Sequence, residues 1–185
     1  ALPRGRDLLV ALWAGIRMGV RCVPLDLGLP APHLRRITGA FPGAWACVAG
    51  VPDWLDPQVR PLPEGPAAAD TGFAWPPGAD EDPAYSVITS GSTGVPKLVT
   101  ISRRALSAFL GAAGPIYGLE PRDRVLQFAN PAFDALWEEV FGTFCAGATL
   151  VLPPPGPWRS TEHFASWVAA SGVTVLDLPT AFWHG

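Results

Sequence analysis

The sequence has few charged residues and no concentration of positive charge. Charged residues make up 16% of the 185 residues, against a hydrophobic fraction of 49%. That balance excludes a largely disordered chain, which needs low hydrophobicity and a high net charge. Lys and Arg are scattered and the formal net charge is −3, so the basic stripe that binds nucleic acid is missing. We therefore predict a globular protein without a nucleic-acid partner.

Two further absences bear on location: a membrane-spanning apolar run and a paired set of cysteines. The first apolar stretch is broken by Arg17 and Arg21 before it reaches spanning length, so we expect no signal peptide, no transmembrane helix and no membrane partner. Cys22, Cys47 and Cys145 are odd in number and lie among apolar neighbours. We interpret them as buried thiols rather than metal ligands or disulfides, which favours the reducing cytoplasm.

Proline, by contrast, is abundant, with 22 residues, and it separates two patterned regions. Residues 1–51 are interpreted as a first α/β segment, residues 52–83 as a Pro/Gly/Ala-rich surface linker, and residues 84–185 as a second α/β segment. Apolar residues at three- and four-residue intervals predict helices over residues 7–20, from Pro30 onward, and over 103–113, 135–145 and 162–171. Apolar runs predict extended segments over residues 21–26, 44–49, 85–89, 98–101, 124–128, 148–152 and 173–176. The alternation predicts an α/β fold.

A run rich in glycine and hydroxyl groups follows the predicted strand at 85–89. It consists of Thr89, Ser90, Gly91, Ser92, Thr93 and Gly94, with Lys97 three residues later. Glycines let backbone N–H groups approach anionic oxygens, hydroxyls donate further hydrogen bonds, and a lysine supplies positive charge. A polar hairpin turn is the alternative, because Gly and Ser are ordinary turn residues. The run is not an NTPase P-loop, which needs Gly-Lys-Ser/Thr leading directly into a helix.

Residues 85–97 as a whole resemble the signature of the adenylate-forming (ANL) superfamily of AMP-dependent synthetases and ligases. One departure is Leu98, where that family usually has Gly, and we expect it to constrain the loop. Residues 12–26, 133–135, 147–152 and 178–180 resemble other segments of the family in the same order. The resemblance spans nearly the whole chain and favours the amino-acid adenylation domains of nonribosomal peptide synthetases.

This resemblance implies a fold and a reaction. The fold would be part of the large N-terminal subdomain of an adenylation domain, with parallel sheets sandwiched by helices. The reaction would be ATP- and Mg²⁺-dependent conversion of an amino acid to an acyl-adenylate with release of pyrophosphate, in secondary metabolite biosynthesis. A carrier protein with a phosphopantetheine arm would be the partner. The family's adenine, ribose and C-terminal lysine motifs are absent from these residues, so we expect the 185-residue chain alone to be inactive.

The resemblance also implies roles for individual residues. Thr89, Ser90, Gly91, Ser92, Thr93, Gly94 and Lys97 would hold the ATP phosphates, and no residue would act as a covalent catalyst. Asp134, as a buried carboxylate, would pair with the α-ammonium group of the substrate, and Ala135 and Glu138 would line the substrate pocket.

Local sequence leaves alternatives at these positions. Asp134 also suits the N-terminal cap of a helix. Glu138 shares a helix face with Asp134 whereas Glu139 points elsewhere, although a solvated helix face explains the Glu pair equally well. At the level of the whole protein, a fatty-acyl or aryl-CoA ligase of the same superfamily and a noncatalytic nucleotide-binding remnant are the alternatives.

Overall fold

A computed structural model describes residues 1–41, 46–47, 60–61, 78–90 and 96–183, with the backbone alone at 46–47, 60–61 and 90. The described chain divides into two compact units, Ala1–Arg103 and Arg104–Gly185.

The first unit begins with the two predicted helices. Helix α1 spans Arg6–Arg17 and helix α2 spans Ala31–Ala40. α1 buries three residues one turn apart, Leu8, Leu12 and Ile16. It ends before Gly19, whose φ of 66° lies in the left-handed region that favours glycine. The apolar spacing therefore predicted both helices, and the end of α1 to within three residues.

The strands of the first unit form two separate pairs. β1 (Ala46–Cys47) and β2 (Arg60–Pro61) are parallel, whereas β3 (Pro83–Ser90) and β4 (Pro96–Ser102) are antiparallel. β2 lies within the range predicted as a linker, of which residues 52–59 and 62–77 are outside the described residues. The proposed division at residues 51 and 83 stays a prediction.

A small apolar core stabilises the first unit. It comprises Leu25 and two residues of α2, Leu34 and Ile37, which are 1% and 4% exposed. Ile88 of β3 packs against this cluster. The extended residues before α2 also contact β3, since the backbone N–H of Ser86 donates to the carbonyl of Cys22 at 2.8 Å. Helix and strand thus share one core, as in other α/β arrangements.

The second unit alternates helices with short parallel strands. Its elements are α3 (Arg103–Tyr117, which begins at the last residue of the first unit), β5 (Arg124–Leu126), α4 (Ala135–Cys145), β6 (Thr149–Val151), α5 (Thr161–Ser171) and α6 (Thr180–Trp183). β5 pairs in parallel with β6 and, through Val125, with Val175. The strand predicted at 173–176 is therefore a single bridge, and α6 was not predicted.

The predicted α/β class is confirmed, with one exception to the parallel pairing. β1–β2, β5–β6 and the bridges are parallel, whereas β3–β4 is an antiparallel hairpin. A hairpin needs only a short connection, whereas a parallel pair needs a crossover. The Gly-rich run leaves no room for a crossover, so the antiparallel pair follows from its shortness.

The structure bears on two predictions, the absence of a membrane-spanning helix and the burial of the cysteines. Within the described residues, no helix has both the length and the apolar character needed to cross a membrane. Cys22 is a free, half-buried thiol, and burial raises its pKa to about 11. The burial predicted for Cys145 is wrong, because this residue is exposed at the end of α4. The side chain of Cys47 lies outside the described residues.

Candidate functional site

The candidate phosphate-binding run connects the two strands of the β3–β4 hairpin. Gly91, Ser92, Thr93 and Gly94 lie outside the described residues, and only the backbone of Ser90 is described. On either side of the run, Ser90 pairs with Pro96, and Thr89 pairs with Lys97. The hairpin register therefore fixes both ends of the run.

Thr89 and Lys97 lie directly opposite each other at the end of the hairpin. Directly opposed residues of an antiparallel pair project from the same face of the sheet, with Cβ atoms about 4.5–5.5 Å apart. Both residues are exposed. A hydroxyl donor and a positive charge are thus available together to a ligand at this end of the hairpin.

The hairpin also settles the P-loop alternative. In a P-loop, the residue after Gly-Lys opens a helix whose N-terminus contributes to phosphate binding. Here β4 follows the run from Pro96 onward and pairs back along the full length of β3. The prediction that this is not an NTPase P-loop is confirmed.

Leu98, the departure from the family signature, has a packing role. It is half-buried and lies opposite Ile88, which contacts the Leu25–Leu34–Ile37 cluster. Because successive strand residues point to opposite faces, Leu98 projects away from the face that carries Lys97. Its side chain therefore supports the hairpin from the core side.

Asp134 lies at the N-terminus of α4, and one part of its prediction is wrong. The residue is exposed rather than buried, because it ends the loop that precedes the helix. Its Oδ1 accepts a hydrogen bond from the backbone N–H of Ala135 at 3.0 Å, so the alternative of a helix cap is confirmed. An exposed carboxylate remains accessible to a ligand, so capping and ligand binding are compatible.

Glu138 lies one helical turn beyond Asp134 and lines a cavity of about 290 Å³. Apolar groups of α3 and α4 form most of the wall, among them Phe109, Leu110, Ala113, Gly142 and Cys145. The Tyr117 hydroxyl donates a hydrogen bond to the Glu138 carboxylate, and this bond raises the pKa of Tyr117 to about 12. Neither Asp134 nor Ala135 is among the lining residues.

Sequence reasoning missed the buried carboxylate of Glu139, which is 4% exposed. It accepts hydrogen bonds from the backbone N–H groups of Phe128, at 3.0 and 3.1 Å, and Ala129, at 2.8 and 3.0 Å. The side-chain amide of Gln127 donates a further bond at 3.0 Å. A solvated helix face is therefore wrong for this residue. The signal was its spacing, three residues after Leu136 and four before Thr143, both of which are buried.

The protonation of Glu139 reflects two opposing influences. Burial raises its pKa to about 7, the negative charge of Asp177 acts in the same direction, and the donors at Ala129, Phe128 and Gln127 oppose them. Among the described residues, every hydrogen bond that reaches the carboxylate comes from an N–H group, and such bonds favour the ionised form. The group is thus poised to titrate near neutral pH.

The described residues provide no ready-made metal site. Among them, no group of three or more His, Cys, Asp or Glu side chains could hold a metal ion. Mg²⁺ commonly uses one or two carboxylates together with substrate phosphates and water. A protein-built Mg²⁺ cage is therefore not a feature of this part of the chain.

Comparison with known proteins gives one family and consistent relatives. Residues 47–185 match the family described as AMP-binding enzyme. An isonitrile lipopeptide synthase of Streptomyces coeruleorubidus is 41% identical over 191 aligned positions, which cover 100% of this chain and 13% of that protein. The chain thus spans a small part of a much longer relative.

Two solved structures resemble the chain along almost its whole length. The N-terminal subdomain of NpsA from Klebsiella oxytoca has a TM-score of 0.76 at 28% identity, covering 96% of this chain and 47% of that one. The nonribosomal peptide synthetase FmoA3, bound to alpha-methyl-L-serine-AMP, has a TM-score of 0.73 at 26% identity, covering 94% and 19%. The predicted fold, part of an N-terminal adenylation subdomain, is confirmed.

Proposed function

The chain belongs to the AMP-binding enzyme family, and on that premise we propose that it is part of a ligase that activates an amino acid with ATP. The products are an acyl-adenylate and pyrophosphate, as in a nonribosomal-peptide-type adenylation domain. The observation that carries the proposal is the hairpin, in which Thr89 opposes Lys97 beside the Gly- and hydroxyl-rich run. The proposal concerns a complete adenylation domain that contains this chain, because the chain covers only 47% of the N-terminal subdomain of NpsA.

The hairpin supports a role in holding the polyphosphate of ATP. Lys97 provides positive charge and Thr89 a hydroxyl, and Ser90, Gly91, Ser92, Thr93 and Gly94 provide backbone N–H groups and further hydroxyls between them. Charge-assisted hydrogen bonds of this kind contribute about 1.5–3 kcal/mol each. These residues would stabilise the charge that develops on the leaving pyrophosphate.

Asp134 supports recognition of the α-ammonium group. Its Oδ1 caps α4, and its Oδ2 accepts no hydrogen bond from the described residues. An exposed carboxylate with one oxygen available can accept from a substrate ammonium without a conformational change. Carboxylic acids that lack the amine would forgo this interaction.

Glu138 and its cavity support a selective role toward the substrate side chain. The wall is mainly apolar, and Glu138 supplies a carboxylate that already accepts a hydrogen bond from Tyr117. A side chain with an apolar stem and a cationic or hydrogen-bond-donating end would match this combination, because a charged end needs a partner when it is desolvated. Ala135, which is half-buried and directly follows Asp134, would contribute a small apolar surface beside Asp134 rather than to the wall of this cavity.

The reaction proceeds by direct displacement. A substrate carboxylate oxygen attacks the α-phosphorus of ATP, a new O–P bond forms, and the bond from the α-phosphorus to the bridging oxygen of pyrophosphate breaks, with no proton transferred. The chain's own residues orient the two reactants and stabilise negative charge. Mg²⁺, held chiefly by phosphate oxygens, would supply additional charge neutralisation.

The partners and location extend the same proposal. A carrier protein with a phosphopantetheine arm would receive the acyl group during biosynthesis of a secondary metabolite. The free thiol of Cys22 supports a cytoplasmic location, where thiols stay reduced.

The test is ATP–pyrophosphate exchange by a complete adenylation domain that contains this chain. Asp134→Ala should lower kcat/KM for amino acids about 10- to 100-fold, because an ammonium–carboxylate hydrogen bond is lost, and should leave acids without an amine unchanged. The panel pairs lysine and ornithine with the neutral norleucine and norvaline. Preference for the cationic member of each pair would support the role of Glu138.

Glu120→Gln is the matched control, since Glu120 is an exposed carboxylate whose partner Arg122 is also exposed. Exchange with acids lacking an amine, and none with amino acids, would contradict the proposal and favour an acyl- or aryl-CoA ligase. No exchange with any acid would favour a noncatalytic remnant.

A further inference from the structure

The side chain of Glu139 joins the two ends of the β5–α4 loop, residues 127–134, by hydrogen bonds. The loop leaves the carboxyl end of β5 and returns as α4, and Glu139 reaches back from α4 to the backbone of Phe128 and Ala129, at the start of the loop. In open α/β sheets, the crevice beyond the carboxyl ends of the strands is the usual place for ligands. The β5–α4 loop therefore lies at the end of the strands where α/β proteins usually bind ligands, and its conformation can affect binding.

The remainder of the loop is fixed by local hydrogen bonds. The Asn130 side chain accepts from the backbone N–H of Ala132 at 3.0 Å, and its carbonyl accepts from the N–H of Phe133 at 3.0 Å. Asp134 follows directly and caps α4. The contacts thus form a continuous series from the Glu139 carboxylate to Asp134, and only the first of them depends on a buried ionisable group.

We propose that Glu139 is a positioning residue for the substrate: by holding the backbone of Phe128 and Ala129, it fixes the loop that sets the place of Asp134. This inference rests on the proposed function, in which Asp134 binds the α-ammonium group. Glu139 itself is 4% exposed and faces the protein interior, so it acts through the loop and not on the substrate.

The donors around residue 139 require a carboxylate at this position. Each oxygen of Glu139 accepts from both backbone N–H groups, and one also accepts from Gln127, which is itself 1% exposed. Glutamine at this position would offer one acceptor oxygen and would turn an N–H₂ donor toward other donors. Since a buried donor without an acceptor is costly, Glu139→Gln should loosen the start of the loop while preserving side-chain volume.

The experiment compares wild type and Glu139→Gln in the complete adenylation domain, below the melting temperature of both. We expect the KM for the amino acid to rise about 10-fold or more, as for loss of a charge-assisted hydrogen bond. The KM for ATP should change less than about 3-fold, because the hairpin residues are untouched. Hydrogen–deuterium exchange of a peptide covering residues 127–134 should become about 10-fold faster, since the protection by Glu139 is lost.

Each outcome decides the inference. Equal rises in both KM values, or faster deuterium exchange without a change in amino-acid KM, would overturn the positioning role and leave a purely structural one. If wild type exchanges pyrophosphate with no acid, the proposed function and the substrate role of Glu139 fail together, and deuterium exchange still decides whether Glu139 holds the loop. Glu120→Gln should match wild type in every readout.

A second variant keeps the test open if Glu139→Gln does not fold. Gln127→Met removes the amide that donates to Glu139 at 3.0 Å and to the Ala129 carbonyl at 2.8 Å, with little change in volume. It leaves the backbone N–H groups of Phe128 and Ala129 as donors to Glu139. The amino-acid KM should then rise by about 2- to 5-fold, less than for Glu139→Gln, because the backbone donors to Glu139 remain in place. A folded Gln127→Met protein with wild-type KM and wild-type deuterium exchange would overturn the inference.

Discussion

The β3–β4 hairpin and the β5–α4 segment carry candidate ligand-binding residues in different ways. In the hairpin, all these residues come from one continuous run, 89–97, whose ends are paired through the backbone. In the β5–α4 segment, Asp134, Ala135 and Glu138 also lie close together in the sequence, but side-chain contacts set their surroundings, such as Glu138 with Tyr117 of α3 and Glu139 with Phe128. Both sets of residues can be recognised in a sequence, whereas the contacts around the second set require the fold.

The two regions also place their charges differently. Lys97 is exposed at the end of the hairpin, so its charge is available to a ligand and contributes little to stability. Glu139 is buried and accepts hydrogen bonds from donors of its own chain, so its carboxylate interacts with the protein rather than with a ligand. Mutations should therefore distinguish the two regions. Substitution of Lys97 should lower the activity toward every substrate equally, and substitution of Glu139 should change the stability of the protein and the pH dependence of that stability.

The largest expected effect comes from Lys97→Ala. Removing a group that stabilises transferring phosphates costs about 10²- to 10³-fold in rate, and the loss should be the same for every acid in the panel because all share ATP. The melting temperature should not change, since the side chain is exposed. ATP–pyrophosphate exchange and thermal unfolding, measured on the same preparations, check both parts.

Lys97→Arg is the appropriate control, because it keeps the charge and alters its shape. Partial retention of activity would indicate that charge dominates. A loss of exchange activity confined to amino acids would contradict the proposed phosphate-binding role of the hairpin, since it would link Lys97 to the ammonium group rather than to the phosphates.

The next effect concerns Glu139 and the pH dependence of stability. Burial raises its pKa to about 7 from the ordinary value of 4.5. The folded state therefore binds the proton more tightly than the unfolded state, and this stabilisation is complete below pH 4.5 and lost as the pH rises to about 7. Wild type should lose about 3 kcal/mol relative to Glu139→Gln over this interval, measured by urea unfolding at several pH values.

Other titrating groups largely cancel in this difference, because both proteins contain them. Asp177 is the nearby charged group that contributes to the raised pKa, so Asp177→Asn should shift the transition slightly toward lower pH. If the difference in the free energy of unfolding between wild type and Glu139→Gln does not depend on pH, the donors keep Glu139 ionised throughout. The contrast between the exposed charge of Lys97 and the buried charge of Glu139 would then be supported only by their positions in the structure.

The sequence predicted the fold class, both helices of the first unit and α4 with its correct ends, because apolar spacing is a local property. The phosphate-binding role of the run at 89–97 stays a prediction. Sequence reasoning failed where burial decides. Asp134 was expected to be buried and is exposed, and the solvated helix face kept as an alternative is wrong for Glu139, which is buried. Glu138 and Glu139 are adjacent in α4, yet one lines a cavity and the other is buried. Packing of α4 in the folded unit determines which of them faces inward.

The smallest expected effect concerns Leu98, at the core side of the hairpin. Leu98 lies opposite Ile88, and such cross-strand apolar pairs contribute about 0.2–1 kcal/mol. Leu98→Gly would restore the residue that the family usually has and should lower the free energy of unfolding by about 1–2 kcal/mol, because the contact is lost and glycine weakens a strand interior. Urea unfolding measures the loss, and exchange activity should stay within about 3-fold of wild type because Lys97 lies on the other face.

Val99→Gly separates the two causes. Val99 is the next residue of β4 and is 44% exposed, so its replacement carries the backbone cost of glycine with less loss of packing. Leu98→Gly should therefore be less stable than Val99→Gly by about 1 kcal/mol. Equal stabilities would show that the Leu98–Ile88 contact contributes nothing, and faster catalysis by Leu98→Gly would instead show that Leu98 restrains the phosphate run. The hairpin would then depend on a side-chain contact, as the β5–α4 segment does.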